Sequence, residues 1–379
     1  MHSPISRRVL AIGGALCALS FGIAACGSDD NSSSSTSGGG ASTSASSGGK
    51  AQKVGVLLPD TKSSIRWESF DRPLLQQAFQ AAGVPVTIDN AQGDKSTQQQ
   101  QAEQQITNGA KVLLLVNLDS GSGAAIEANA KSRGVKTIDY DRLTLKGSAD
   151  YYVSFNNVEV GKLQGQGLVD CLNKAGGSDP AIAQLNGSPT DNNATLFKQG
   201  AVSILNPLYQ EGKAKKVADQ AVPDWDNQQA LTIFEQMLQK TNNKIDGVLA
   251  ANDGLANSVI SALKARKLKQ IPVTGQDATP EGIQNILAGD QCMTVYKAVK
   301  KEADAASKLA IALSKGTAAP AGLVNGKTND TARDVPSVLL TPQAITKSNV
   351  KLLFDDGFLK TSDVCVGKYA AMCKQAGIT

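Results

Sequence analysis

The chain has 379 residues, 41% of them hydrophobic, with a formal charge of +4 and a single histidine. A balance so near neutral, with no Lys/Arg cluster interleaved with aromatics, leaves no polyanion footprint, so nucleic acid is not an expected partner. The one histidine is His2, inside a segment expected to be removed, which excludes Ser-His-Asp and Cys-His nucleophilic machinery and every His-ligated metal site.

Residues 1–26 read as an export signal. Arg7 and Arg8 open it, an apolar run over 9–25 follows, and Ile23-Ala24-Ala25-Cys26 resembles a bacterial lipobox in which the cysteine is acylated. Ser6-Arg7-Arg8-Val9-Leu10 also resembles a twin-arginine signal, so the export route stays open. A spanning helix is disfavoured, because the run is short, rich in small residues and followed directly by a Ser/Gly tract. Residues 27–52 are that tract, too poor in apolar side chains to bury a core and expected to act as a flexible tether. A body lipid-anchored through Cys26 at the outer face of the bacterial cytoplasmic membrane follows, at the cell surface or in the periplasm. Loss of Arg7 and Arg8 leaves its charge near +2.

From residue 53 a regular alternation begins. Strands are predicted at 54–58, 84–88, 112–116 and 135–138, with helices at 67–82, 96–108 and 122–133 between them. Continuous apolar runs such as Val54-Gly-Val-Leu-Leu58 suit strands covered on both faces, and strand–helix alternation at this spacing builds a parallel sheet. A polar stretch at 143–150 leads into Tyr151-Tyr-Val-Ser-Phe155, and the alternation restarts. Strands follow at 181–185, 216–222, 247–251, 271–274 and 293–297, with helices at 158–173, 193–209, 227–240, 254–266 and 280–288. A helix at 302–314 carries an Ala face (Ala303, Ala306, Ala310) suited to close packing on a sheet. A strand at 335–340 and an irregular tail finish the chain. The fold class is α/β, with two Rossmann-like lobes. One lobe is assigned residues 53–145 plus 298–330, the other 146–297 plus 331–379.

Six cysteines are present. Cys17 leaves with the signal and Cys26 takes the lipid. Cys171, Cys292, Cys365 and Cys373 remain, an even number in an exported protein, which points to disulfides. Three pairings are open, and the short spacing of Cys365 and Cys373 favours a local loop that leaves Cys171 with Cys292. Scattered spacing disfavours a four-cysteine zinc site, so no metal is expected.

Several strands end in paired polar groups: Asp60…Arg66-Trp67, Asp141-Arg142, Asp191-Asn192-Asn193, Asn252-Asp253, Gln276-Asp277 and Tyr296-Lys297. Each alone could be a helix cap or a surface pair. Together they point to a shared polar cleft at the carboxyl ends of the strands, where open α/β sheets bind ligands. Trp67 and Trp225, one per lobe and each amid polar residues, could sandwich the CH faces of a pyranose while Asp, Asn and Arg take its hydroxyls. Gly121-Ser-Gly123-Ala-Ala-Ile126 only partly mimics a dinucleotide fingerprint, because Ile126 stands where a small residue is needed. No cofactor is therefore expected. Asp141, Asp191 and Asp277 could supply the acid and base of a glycosidase, but their match with Asn, Arg and Lys looks more like hydrogen-bond complementarity.

In this order, these residues resemble the sugar-binding branch of the type I periplasmic binding proteins. The resemblance is carried by Arg66-Trp67 with Asp71-Arg72, Tyr140-Asp-Arg142, Tyr152-Val-Ser-Phe-Asn156 and Gly187-Ser-Pro-Thr-Asp-Asn-Asn-Ala194, and continues through Asn243-Lys-Ile-Asp246, Gly275-Gln-Asp277, Met293-Thr-Val-Tyr-Lys297 and Asp334-Val-Pro-Ser337. It implies two lobes joined by a three-strand hinge, with a monosaccharide between them and no enzymatic activity. Sugar contacts would come from Arg66, Asp141 and Arg142 on one side and Asp191, Asn193, Asn252 and Asp277 on the other. Lys297 would contribute from the hinge, and Trp67 and Trp225 would be the stacking faces. The implied role is a monomeric substrate-binding lipoprotein that delivers an aldose, D-xylose ahead of glucose, arabinose or galactose, to the membrane permease of an ABC importer. A sugar sensor docking on a receptor kinase is the alternative. The chain departs from the family in its Ser-rich start, its cysteines and its tail from Asp363 onward, and the residues between Asp60 and Arg66 leave the choice of sugar open.

Overall fold

The computed structural model describes residues 51–378. The export signal, Cys26 and all but the last two residues of the tether lie outside the described residues. Among the described residues no helix is long and apolar enough to cross a membrane.

The first body is a βα alternation whose strands are the expected apolar runs. In chain order it comprises β1 (Lys53–Leu58), a wide π-helical turn (Trp67–Asp71) continuing into α1 (Arg72–Ala81), β2 (Val86–Asn90) and α2 (Lys95–Thr107). Then come β3 (Ala110–Leu115), α3 (Ser120–Ser132), β4 (Lys136–Tyr140) and β5 (Tyr151–Phe155). The second body runs through α4 (Asn157–Ala175), β6 (Ala181–Asn186), α5 (Asn192–Gln210), β7 (Lys215–Ala221), α6 (Asn227–Lys240), β8 (Gly247–Ala250), α7 (Asp253–Ala265), α8 (Pro280–Ala288) and β9 (Thr294–Tyr296). α9 (Val299–Ser314), β10 (Gly326–Asn329) and β11 (Asp334–Leu340) follow. β12 (Gln343–Ile345), α10 (Leu352–Asp355), α11 (Thr361–Val364) and α12 (Tyr369–Gln375) complete the described chain.

Seven strands form the first sheet in the order β10-β11-β5-β4-β3-β1-β2, parallel except for β10. β7-β6-β8 form the second sheet, and β12 pairs antiparallel with β9. The expected strand at 271–274 is reduced to a single bridge, Val248 to Val273. Pro272 contributes no N–H to a ladder, which keeps the segment from continuing as a strand.

Sheet membership corrects the assigned lobe boundaries. β5 pairs with β4 and β11, so the first crossing comes after Phe155 and not at residue 145. β10 and β11 also belong to the first sheet, so the last crossing lies between Leu340 and Gln343 and not at residue 330. The polar stretch 143–150 is a loop between two strands of one sheet. The remaining crossing follows Lys297 into α9, whose Ala303, Ala306 and Ala310 are fully buried in the first core. Small residues there let the helix backbone approach the sheet.

In the second body α4 and α5 touch backbone to backbone. A Cβ on Gly161 would lie 1.9 Å from the Phe197 carbonyl oxygen, and one on Gly200 would lie 2.0 Å from that of Val158. No side chain fits at either place, so the glycines set how α5 presents its first turns.

The tail is not irregular. α10, α11 and α12 fold onto α8 around a core of their own that includes Val350, Leu353, Leu359, Val364 and Cys373. The sulfurs of Cys365 and Cys373 are 2.06 Å apart, and those of Cys171 and Cys292 are 2.08 Å apart.

Candidate functional site

The carboxyl ends of β1, β4, β6 and β8 converge on one cavity between the two bodies. All ten residues singled out in the sequence line it: Arg66, Trp67, Asp141 and Arg142 from the first body, Asp191, Asn193, Trp225, Asn252 and Asp277 from the second, and Lys297 at the hinge. Every one of them is buried or nearly so, although eight carry charge or an amide. Buried polar groups need partners, and the partners here run from body to body.

Arg66 is the hub. Its Nη1 donates to Asp141 Oδ2 at 2.7 Å, its Nε and Nη2 reach both oxygens of Asp71 at 2.9 and 2.8 Å, and Nη2 also meets Glu302 Oε2 at 2.6 Å. Three carboxylates thus share one guanidinium. Burial alone would lower the Arg66 pKa, but Asp71, Glu302 and Asp141 hold it well above its ordinary value. For Glu302 the balance runs the other way. Burial dominates, Arg66 offsets part of it, and the neighbouring Asp141 and Asp71 add to it, so its pKa is pushed up to about 8.

Asp141 occupies the left-handed region at φ 62°, where β4 turns sharply into the next loop. Its backbone N–H still donates to Val153 O across to β5 at 2.8 Å, and its carbonyl accepts from Tyr152 Oη and Ser154 Oγ, both at 2.9 Å. This turn aims the carboxylate into the cleft. Burial raises its pKa, but Lys297, then Arg66 and Arg142, more than reverse that and keep it below the usual range. Trp225 (φ 56°) and Asp277 (φ 91°) are also left-handed. Strained backbone at three cleft positions is the kind that persists where the surroundings dictate geometry.

Contacts spanning the gap close the cleft. Arg142 Nε is 3.2 Å from Asp191 Oδ2, Asn193 Nδ2 donates to the Asp141 carboxylate at 3.0 Å, and Asn252 Nδ2 to Ser63 O at 3.4 Å. Lys297 Nζ lies 3.2 Å from Asp277 Oδ1 and 3.8 Å from Asp141 Oδ2. Burial pulls the Lys297 ammonium down, and Asp277 and Asp141 raise it past its ordinary value. The cavity that remains is about 30 Å³, room for roughly two waters. A larger guest must displace these pairings, not merely fill space.

Both indoles are built into a core on one side and face the cavity on the other. Trp67 Nε1 donates to Ser63 Oγ at 3.1 Å, with the Arg66 and Arg142 guanidinium carbons 4.5 and 5.5 Å from its ring centroid. Trp225 Nε1 donates to Asp191 Oδ2 at 3.1 Å, and its ring meets Phe197 edge-on at 6.4 Å. Gly187 makes that placement possible, since a Cβ there would fall 2.0 Å from the Trp225 ring.

Two residues whose cap reading was left open do both jobs. Asn252 Oδ1 accepts from Leu255 N at 2.9 Å and Asp191 Oδ1 from Asn193 N at 2.9 Å, so each caps a helix while its other atom faces the cleft. Asp277 is no cap; Thr279 takes that place for α8.

Three cavity residues escaped the sequence reading, Ser63, Ser64 and Phe197, and Gln276 was named there as half of a strand-end pair but not among the sugar contacts. Phe197 was findable, because it stands four residues after Asn193 on one face of α5. Gln276 adjoins Asp277, whereas nothing in the local pattern marks the two serines. Among the described residues no cluster of three or more His, Cys, Asp or Glu side chains could hold a metal ion.

Comparison with known proteins places the chain. The model of the periplasmic binding protein domain family matches residues 54–318. The chain is 37% identical over 317 residues to the D-xylose-binding periplasmic protein of Escherichia coli, covering 83% of this chain and 93% of that one. Among solved structures it resembles an ABC transporter solute binding protein from Clostridium phytofermentans with bound β-D-glucose (TM-score 0.76, 31% identity, 82% of this chain and 99% of that one). It also resembles a carbohydrate transporter solute binding protein from Chloroflexus aurantiacus in complex with D-glucose (TM-score 0.75, 31% identity, 82% and 98%). Two α/β bodies, three crossings and a polar cleft at the strand ends are accounted for together: the chain belongs to the periplasmic binding protein family and has its type I fold.

Proposed function

We propose that the protein is the substrate-binding lipoprotein of a sugar ABC importer, capturing a free aldose, D-xylose foremost, in the cleft between its lobes. One observation carries the reading: side chains from both bodies, dense in donors and acceptors and including two indoles, line a single buried cavity. A pyranose presents hydroxyls that both donate and accept, over CH faces that suit aromatic rings. The D-xylose-binding relative and the glucose-bound solved structures support this class of ligand.

Capture works by exchange. The direct pairings of Arg142 with Asp191, Asn193 with Asp141 and Lys297 with Asp277 hold the closed lobes together without sugar. Parting the lobes at the three crossings exposes these groups, and sugar hydroxyls then replace the direct bonds as the lobes close again. Sugar shifts the balance to the closed form only because contacts from both lobes are completed there. The closed form is what the permease reads. Asp141, Asp191 and Asp277 each face a buried cation in the sugar-free cleft, which suits acceptors of hydroxyl hydrogen bonds more than a split acid–base pair, and the role we assign is binding without cleavage. Cys26 carries the lipid anchor, the two cysteine pairs are disulfides of an exported protein, and it acts as a monomer.

A thermal-shift panel of pentoses and hexoses on the protein lacking residues 1–26 tests this. D-xylose at a thousandfold excess over its Kd is expected to stabilise the fold by about 4 kcal/mol, with D-glucose weaker. A panel in which no aldose moves the melting temperature overturns the reading.

A further inference from the structure

The cleft is served by a segment that does not line it. The C-terminal stretch 346–378 packs with two residues that adjoin a cleft residue in sequence and with a third on the same turn as one. Ala278 follows Asp277, Tyr296 precedes Lys297, and Phe70 belongs to the turn that carries Trp67. Phe358 of the tail is the join. It stacks on Phe70 of the first lobe with centroids 4.9 Å apart and planes 21° apart, and meets Tyr296 at 4.8 Å. Tyr296 Oη donates to Asp356 at 2.6 Å, so the strand leading to Lys297 is tied to the same tail loop. The stacked rings come from opposite lobes, and Phe70 sits on the turn whose Trp67 and preceding Arg66 face the cavity. The tail is fixed on the second lobe: its core includes Ile283 and Ile286 of α8, and Gln284 Nε2 donates to Val364 O at 3.0 Å.

We propose that the tail is a buttress for sugar capture and that Phe358 is a positioning residue, stacking on Phe70 to hold the Arg66–Trp67 turn of the first lobe against the second when the cleft closes. The proposal rests on the sugar-binding reading for its ligand, but the closure it describes belongs to the chain alone. The Phe70–Phe358 contact crosses the gap without touching the sugar. Its loss therefore lets the closed form reopen faster while leaving the open form's encounter with sugar unchanged.

Stopped-flow intrinsic fluorescence with D-xylose separates these rates. Phe358→Ala is expected to speed release about tenfold, the scale of one aromatic contact plus its burial, with association no slower than in wild type. Phe358→Tyr keeps the ring and is expected to restore slow release, which a loss of folding could not mimic. Phe70→Ala acts from the first lobe and removes a ring that packs against the tail core without changing any buried member of it; it is expected to match Phe358→Ala, and the double variant to add nothing further. Spin labels on cysteines at the exposed positions Ser132 and Lys240 report the interlobe distance without sugar. Phe358→Ala is expected to shift that distance toward the open form. If the wild type binds no aldose, the sugar reading fails and the label distances alone decide the buttress. Release rates within about twofold of wild type in both single variants, or label distances unmoved by Phe358→Ala, overturn it.

Discussion

At the scale of single residues, the cleft reconciles charge with burial by making each side chain serve two partners. Asn252 shows what that costs and how to test it. Its oxygen caps α7 through Leu255 N, and its amide donates across the cleft to Ser63 O. Asn252→Ala removes both, so it is expected to lose about 1 kcal/mol of stability from the cap together with sugar binding. Asn252→Asp keeps a good capping oxygen and deletes only the amide donor. It is expected to melt within a few degrees of wild type yet bind D-xylose at least tenfold more weakly, because a carboxylate would face the carbonyl oxygen of Ser63. Equal affinity by calorimetry for Asn252→Asp and wild type would remove Asn252 from the site and leave it a cap only.

At the scale of elements, much of the fold was legible because the parallel strands are covered on both faces and read as unbroken apolar runs, β3 (Ala110–Leu115) and β8 (Gly247–Ala250) among them. What resisted was which sheet a strand joins. Tyr151–Phe155 reads the same whether it opens the second lobe or closes the first, and only its pairing with β4 and β11 decides. β7 was found although it is mostly exposed, and its charged start at Lys215 and Lys216 suits its place at the edge of the second sheet. The tail helices were missed because each is only four to seven residues long, too short to show a helical period. The polar cleft was legible for a different reason: strand ends in an α/β sheet have a fixed destination, so polar pairs there converge whatever the lobe boundaries. Ser63 and Ser64 stayed hidden because their neighbours give no such fixed direction, whereas Phe197 needed the face of α5 to be followed on from Asn193.

The cysteine pairs belong to this scale too. Cys171–Cys292 spans 121 residues and ties α4 to the strand that leads into Lys297, whereas Cys365–Cys373 spans 8 within the tail. Loop-closure entropy makes the long tie worth about 5 kcal/mol and the short one about half that. Replacing Cys171 and Cys292 together by alanine is expected to lower the denaturant midpoint clearly more than replacing Cys365 and Cys373. Equal losses would mean that the long loop is already constrained in the unfolded chain.

At the scale of the whole molecule, buried acids set how stability follows pH. Burial pushes Glu302 up to about 8 and Asp253 up to about 7. Asp139 and Glu127, a buried pair beneath the loop after β4, are raised by burial as well, and for Asp139 its partner Glu127 adds to the rise. The folded chain therefore keeps protons that the unfolded chain releases at ordinary carboxylate values. Where the folded state binds more protons, raising the pH favours unfolding. The resulting stability is fully present only below the ordinary carboxylate range of about 4, is lost progressively as pH rises from there through about 7 and 8, and is flat beyond. Asp141 works in the opposite sense: its lowered value stabilises the fold above the ordinary carboxylate range, and that share is lost only as pH falls below it. The two trends meet in the ordinary carboxylate range, near pH ~4, where the melting temperature is expected to peak. Glu302 marks one source of the alkaline slope, for it is the third carboxylate on the Arg66 guanidinium and one of its oxygens has no partner. Glu302→Gln is a neutral stand-in for the protonated acid. It is expected to match wild type near pH ~4 and to exceed it increasingly toward pH ~8.5, flattening the decline. A wild-type melting temperature that stays level between those two values would show that these acids ionise within the fold at ordinary carboxylate values, with Glu302 charged beside Arg66 in the closed cleft.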